Sequence, residues 1–218
     1  MRKLFSFFVL LASLNTVEAQ TKQIHLPNGW SLTPAGTSLQ LGDLPLNIAV
    51  SASKKLIAVT NNGQSVQSIQ LIDAAKNKVL STIEIPKSWL GLKFSADEKY
   101  LYASGGNDNR IVKYAIVNNK LVMKDSILLG EAWPEKISPA GLDIDDAKKK
   151  LYVVTKENNS LYVIDLKTKK IIQRDTLNAE AYTCILSRDK KELYISVWGG
   201  DRIAVFNTLT GKLTGSIP

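Results

Sequence analysis

The chain has 218 residues, a formal net charge of +8, 44% hydrophobic residues, one cysteine and one histidine. A single cysteine excludes an internal disulfide framework, so an apolar core has to hold the fold. A single histidine, His25, excludes a histidine-rich zinc site, and no apolar run reaches the roughly 20 residues of a membrane-spanning helix.

The start of the chain reads as a leader. Arg2 and Lys3 precede an apolar stretch over residues 4–14, and small residues around Val17 and Ala19 offer a cleavage site. That pattern predicts a secretory signal peptide over residues 1–19 and export to the periplasm or beyond the cell. Cys184 lies far from the cleavage region, so no lipid-anchor cysteine follows. Residues 20–43 form an N-terminal segment in which Trp30 to Leu41 is strand-like, a candidate for a strand that completes a final blade.

From residue 44 the chain repeats itself. Leu56, Leu101, Leu151 and Leu193 each open a short apolar strand and are separated by 45, 50 and 42 residues, near the roughly 40–50 residues of one propeller blade. Within each unit, runs of four to six apolar, β-branched and aromatic residues alternate with clusters of Asn, Asp, Gly and Lys, which predicts strands joined by tight hairpins and not helices. Four strands per unit place the blades at about 44–87, 88–137, 138–179 and 180–218. The predicted fold is an all-β propeller of four-stranded antiparallel blades.

The first strands align Ile48 to Ser51 with Leu92 to Ser95, Leu142 to Asp145 and Cys184 to Ser187. Turns between the second and third strands carry Asn61-Asn62-Gly63, Asn107-Asp108-Asn109, Asn158-Asn159 and Gly199-Gly200-Asp201, residues that tolerate positive φ. Asp73, Asp165 and Asn207 recur at the ends of third strands, where a side chain accepts bonds from the next turn. The charge falls largely in turns, at Lys54-Lys55, Lys148 to Lys150, Lys169-Lys170 and Lys190-Lys191, where lysine keeps sheet edges apart. A basic binding face is the competing explanation.

These residues resemble a known family. Val59-Thr60-Asn61, the Leu-Tyr strands and LYVIDLKTKKI over residues 161–171 are similar to the YVTN repeat, over essentially all of residues 44–217. More narrowly, LPNGWSLTPAGTSLQLGDLPLNIAVS and KSWLGLKFSADEKYLYASGGNDN resemble the amino-terminal, YncE-like propeller of exported bacterial proteins that carry an alkaline-phosphatase-like phosphoesterase domain behind it. The resemblance implies a ring of about seven blades, of which four are visible here, a phosphoesterase domain in the same polypeptide beyond Pro218, and a divalent metal in that domain; a genuine four-bladed ring is the competing reading. None of the phosphoesterase domain's ligands or its nucleophile falls on a residue of this chain.

Within the chain no catalytic constellation stands out. Asp143 and Asp145 alternate on one first strand, but the equivalent positions elsewhere are not carboxylates, so they read as turn and edge residues. Gly105-Gly106-Asn107 and Gly199-Gly200-Asp201 lack the Gly-Lys-Ser ending of a phosphate loop and precede strands. Cys184 reads as a small buried hydrophobe. The binding candidates are Asn47, Gly91, Gly141 and Thr183, which begin the first strands near the axis, and Trp89, Trp133 and Trp198 in loops, with Lys156 near enough to meet an anion. Axial packing and wedging between blades compete with binding for these residues. The sequence thus predicts a non-catalytic binding or scaffold propeller with an unidentified ligand on one face. A lactonase-type metal hydrolase and a single-stranded nucleic-acid binder are the alternatives.

Overall fold

The computed structural model describes residues 23–33, 36–132 and 134–218; the predicted signal peptide and Trp133 lie outside them. The chain divides into two units, residues 1–38 and 39–218. In the first, β1 (Ile24–His25) pairs antiparallel with β2 (Ser31–Leu32), and the Ser31 hydroxyl meets His25 Nδ1 at 2.9 Å.

The second unit contains four antiparallel four-stranded sheets, each with its strands in chain order. Blade 1 is β3 (Pro45–Val50), β4 (Leu56–Asn61), β5 (Ser68–Asp73) and β6 (Lys78–Glu84). Blade 2 is β7 (Leu92–Phe94), β8 (Tyr100–Ser104), β9 (Arg110–Val117) and β10 (Lys120–Leu128). Blade 3 is β11 (Pro139–Asp145), β12 (Lys150–Thr155), β13 (Ser160–Asp165) and β14 (Lys170–Thr176). Blade 4 is β15 (Ala181–Leu186), β16 (Glu192–Val197), β17 (Arg202–Asn207) and β18 (Lys212–Ile217). The first strands β3, β7, β11 and β15 contact one another in sequence, as the inner strands of a propeller do.

Both faces of each middle strand are apolar, so each blade has to be covered on two sides. Ala58, Ile69 and Leu71 of blade 1 pack against Leu101, Ala103, Val112 and Tyr114 of blade 2. Tyr102 and Ile111 of blade 2 meet Leu142, Ile144, Leu151 and Val153 of blade 3. Tyr152, Val154, Leu161 and Val163 of blade 3 meet Cys184, Leu193, Ile195 and Phe206 of blade 4. Each fully buried Leu, Ile or Phe side chain contributes roughly 1.5–3 kcal/mol. The outer strand β18, by contrast, is exposed throughout.

The register corrects one sequence expectation. Ile57, not Leu56, stands opposite Val50, as Leu101 stands opposite Phe94, Leu151 opposite Ile144 and Leu193 opposite Leu186. A slip of one residue reverses the face a side chain presents. Leu56 therefore occupies the place of Tyr100, Lys150 and Glu192, and packs on the side of blade 1 that meets blade 2.

Asp143 and Asp145 also differ from expectation. They are not edge residues but are 4% and 1% exposed, because each reaches across a blade boundary. Asp143 takes the Lys93 ammonium at 2.8 Å from blade 2 and the Leu186 N–H at 2.8 Å from blade 4. Asp145 accepts from the Ala147 N–H in its own turn and pairs with Lys190 of blade 4 at 3.4 Å. The same end of the propeller carries two further hooks: Ser53 of blade 1 donates to Glu98 of blade 2, and the Ala96 N–H of blade 2 donates to Asp146 of blade 3.

The turns use side-chain acceptors as predicted at Asp73, Asp165 and Asn207, each of which takes two backbone N–H groups of the following turn through one oxygen. Positive φ occurs at Asn109, Asn159 and Asp201, and also at Lys54, Lys149, Lys169 and Lys190, residues whose type carries no such signal.

Three outcomes follow from this packing. A Cβ at Gly141 would lie 2.5 Å from the Thr183 Cα of the next blade, so Gly141→Ala is expected to cost about 1–3 kcal/mol in urea denaturation. The Tyr152 hydroxyl is buried without a partner among the described residues, and burial pushes its pKa to about 12. Tyr152→Phe is therefore expected to keep or raise stability, by up to about 1 kcal/mol in the same assay. Hydrogen bonds hold four surface carboxyls below the ordinary range: from the Ser95 hydroxyl at Asp97, and from the backbone N–H of Ser53 at Glu98, of Thr168 at Asp165 and of Lys191 at Asp189. A depressed folded-state value gives stability that is present above the unfolded value and lost as pH falls through the folded one. Melting followed by circular dichroism from about pH 7 to about pH 3 should show the midpoint falling in the acid limb; a midpoint that rises there contradicts the assignment.

Candidate ligand-binding face

Antiparallel blades give the propeller two unlike ends. Hairpins between first and second strands, and between third and fourth, gather at one end; the starts of the first strands and the loops between second and third strands gather at the other. The hairpin end holds a space of about 520 Å³ lined in part by Lys93, Asp143, Asp146, Arg188 and Lys190. Lys93, Asp143 and Lys190 are already engaged in the pairs described above. Among the described residues, no three His, Cys, Asp or Glu side chains come together at metal-ligand spacing.

The loop end carries a polar cleft of about 320 Å³ between blades 1, 2 and 3. Asn62 and Gln67 reach it from the β4–β5 loop, and Lys87, Ser88 and Trp89 from the β6–β7 loop. Asn107 comes from a short 3₁₀ turn (Gly106–Asp108), Ser138 from the residue before β11, and Lys156 with Glu157 from the loop after β12. Backbone bonds fix these loops: Trp89 N–H to the Ser104 carbonyl, Lys156 N–H to the Ser138 carbonyl and Glu157 N–H to the Ile137 carbonyl. Gly106, at φ +48°, lets the 3₁₀ turn pass close beside the Trp89 side chain.

Trp89 and Lys156, distant in sequence, meet here. The Lys156 ammonium lies 5.8 Å from the center of a Trp89 ring and 3.5 Å from Glu180 Oε1 of blade 4. An ammonium over an indole face is attracted by the ring quadrupole. The Trp89 Nε1 is buried without a hydrogen-bond partner among the described residues.

The other predicted residues fall elsewhere. Asn47, Gly91, Gly141 and Thr183 lie where neighbouring first strands approach. Asn47 Nδ2 donates to the Leu90 carbonyl at 2.5 Å, and Cβ atoms at Gly91 and Gly141 would meet the Ala140 carbonyl at 2.3 Å and the Thr183 Cα at 2.5 Å. Inter-blade packing thus accounts for both glycines. The N–H groups of Asn47, Gly91 and Thr183 are taken by the hydroxyls of Thr60, Ser104 and Ser196, at matching places on the second strands. Trp198 is 67% exposed and stacks edge-on with Tyr182 at 5.5 Å. It sits in a separate, mainly apolar recess on blade 4, with Ile203 and Ile217.

Sequence reading missed Asn62, Gln67, Ser88, Asn107, Ser138 and Glu157 as cleft residues. The signal available was positional: every one of them lies in a second-to-third-strand loop or just ahead of a first strand, and these converge at one end of any propeller.

No protein-family model and no curated protein matches this chain. Solved structures do match. A protein from Lactobacillus plantarum aligns with TM-score 0.69 at 15% identity, over 87% of this chain and 60% of that one. A functionally unknown protein from Desulfotomaculum acetoxidans aligns with TM-score 0.65 at 18% identity, over 79% and 55%. Hydrazine synthase of Kuenenia stuttgartiensis aligns with TM-score 0.60 at 17% identity, over 84% and 51%. The chain spans about half the length of these structures, and at such identities the likeness establishes the β-propeller fold alone.

Proposed function

We propose that this chain is the amino-terminal part of an exported YVTN/YncE-like propeller that recognises a small ligand at its loop end and does no chemistry itself. In the complete polypeptide it positions an alkaline-phosphatase-like phosphoesterase domain with its divalent metal. The observation that carries the recognition reading is the convergence of Trp89, Lys156 and seven other polar or charged side chains from three blades on one cleft. Folding alone does not require an indole N–H to stand buried and unpartnered there.

Support for the larger protein comes from the two flanks. Ile48 and Val50 of blade 1 are 61% and 56% exposed, and Ile185 of blade 4 is 60% exposed, whereas Leu142, Ile144, Leu92 and Phe94, which match Ile48 and Val50, are buried. Further blades on these flanks would bury that surface as the interior blades bury theirs. The basic and apolar start of the chain supports export.

The reading is tested by saturation-transfer NMR of the full chain against mixed small metabolites. At least one ligand should bind wild type and lose about tenfold or more in affinity on Trp89→Ala or Lys87→Met, with melting temperature little changed in the lysine variant. A cleft that no compound perturbs overturns it. Tight divalent-metal binding with ester turnover by this chain would move the assignment to a lactonase-type hydrolase, and oligonucleotide binding that falls steeply with salt would move it to a single-strand binder.

A further inference from the structure

The groups facing the loop-end cleft are unusual in being nearly all donors. The Ser88 N–H donates to Gln67 Oε1 at 2.8 Å; because a backbone N–H only donates, the Gln67 oxygen is fixed on it and the Nε2 is turned away. The Ser88 hydroxyl donates to Asn62 Oδ1 at 3.2 Å, and the Ser138 hydroxyl donates to Asn107 Oδ1 at 2.7 Å. Each amide oxygen is thereby used by the scaffold. The amide NH₂ groups of Asn62, Gln67 and Asn107 are left with no partner among the described residues.

To these are added the Lys87 ammonium, which has no ion pair among the described residues, and the Lys156 ammonium, which holds Glu180 at 3.5 Å and keeps further hydrogens to give. Glu157 is the carboxylate in the lining, and it is exposed. A cleft of this kind is complementary to a compact anion rich in acceptor oxygens. A carboxylate offers about four lone-pair positions, fewer than the donor hydrogens gathered here; the three terminal oxygens of a phosphate monoester offer more, and charge-assisted bonds to them are about twice as strong as neutral ones. About 320 Å³ lies at the small end of ligand sites, which fits one phosphorylated small molecule with its organic part against Trp89.

We infer that the loop-end cleft binds a small phosphate monoester. This rests on the cleft being the recognition site. Calorimetric titration of the full chain with inorganic phosphate and with phenyl phosphate, against sodium acetate and sodium chloride at matched ionic strength, tests it. Both phosphates should bind saturably and acetate at least about tenfold more weakly. Gln67→Glu keeps an oxygen for the Ser88 N–H but turns the donor into a second acceptor with negative charge, and it should weaken phosphate binding about tenfold or more. Lys87→Gln, at an exposed position, should weaken it several-fold with an unchanged melting temperature. Phosphate heats no larger than those of chloride, acetate binding as tight as phosphate, or full affinity in both folded variants would each overturn the inference. If phosphate is silent but a neutral metabolite perturbs the cleft resonances, the anion assignment falls and the recognition reading stands; if nothing perturbs them, both fall.

Discussion

Each blade is a sheet with two oily faces, and that constraint governs the molecule. A four-stranded sheet whose middle strands read Leu-Tyr-Val-Val cannot leave either side in water without exposing several buried-type residues at once. Stacking copies about an axis covers the forward face of one blade with the rear face of the next, so Tyr102 and Tyr152 point into boundaries that Leu151, Val153, Leu193 and Ile195 close from the other side. Close approach near the axis then demands residues with no side chain, which is why Gly91 and Gly141 lead their strands.

The same stacking divides labor between the two ends. Hairpins are short, and their Ser, Asp and Glu side chains are consumed in closing turns and in gripping the neighbouring blade, as at Ser53 with Glu98 and Asp145 with Lys190. Loops at the opposite end are held chiefly by backbone bonds, with serines occupying the amide oxygens. Side-chain nitrogen is therefore left over where the loops converge. The polarity of the cleft is a by-product of how its walls are fastened, and it is this residue of unused donors that gives the face a chemical preference.

Most of the architecture was legible in the residues, because short β-rich runs bounded by turn formers recur at blade spacing and no other fold repeats that way. The alignment of Leu56 with Leu101 was not, since identity of letters misled where only cross-strand register decides the face; Ile57 holds the matching place. The edge reading of Asp143 and Asp145 fails for a related reason, although Asp145 does hold its own turn through the Ala147 and Lys148 N–H groups. The alternation of the two aspartates reads as an edge pattern until Lys93 and Lys190 arrive from adjacent blades. Lysines in left-handed turns were invisible because propensity assigns that geometry to Asn and Gly, whereas here a side-chain oxygen at the head of the turn holds the loop. For the cleft, Trp89 and Lys156 could be named from chemistry, but the amides that orient around them required knowing which oxygen each serine takes.

The hooks between successive hairpins tie every blade to its neighbours and to nothing farther away. Order therefore spreads along the row as it does in a line of coupled magnets, and blades 2 and 3 are clasped from both directions by the blades described here. Amide protons of the buried second strands β8 and β12 accordingly belong to the slowest-exchanging class and those of the exposed β18 to the fastest, and the cleft spans the clasped boundaries of blades 1, 2 and 3. A recognition surface built where three blades are clasped together keeps its shape even while the outer strands breathe.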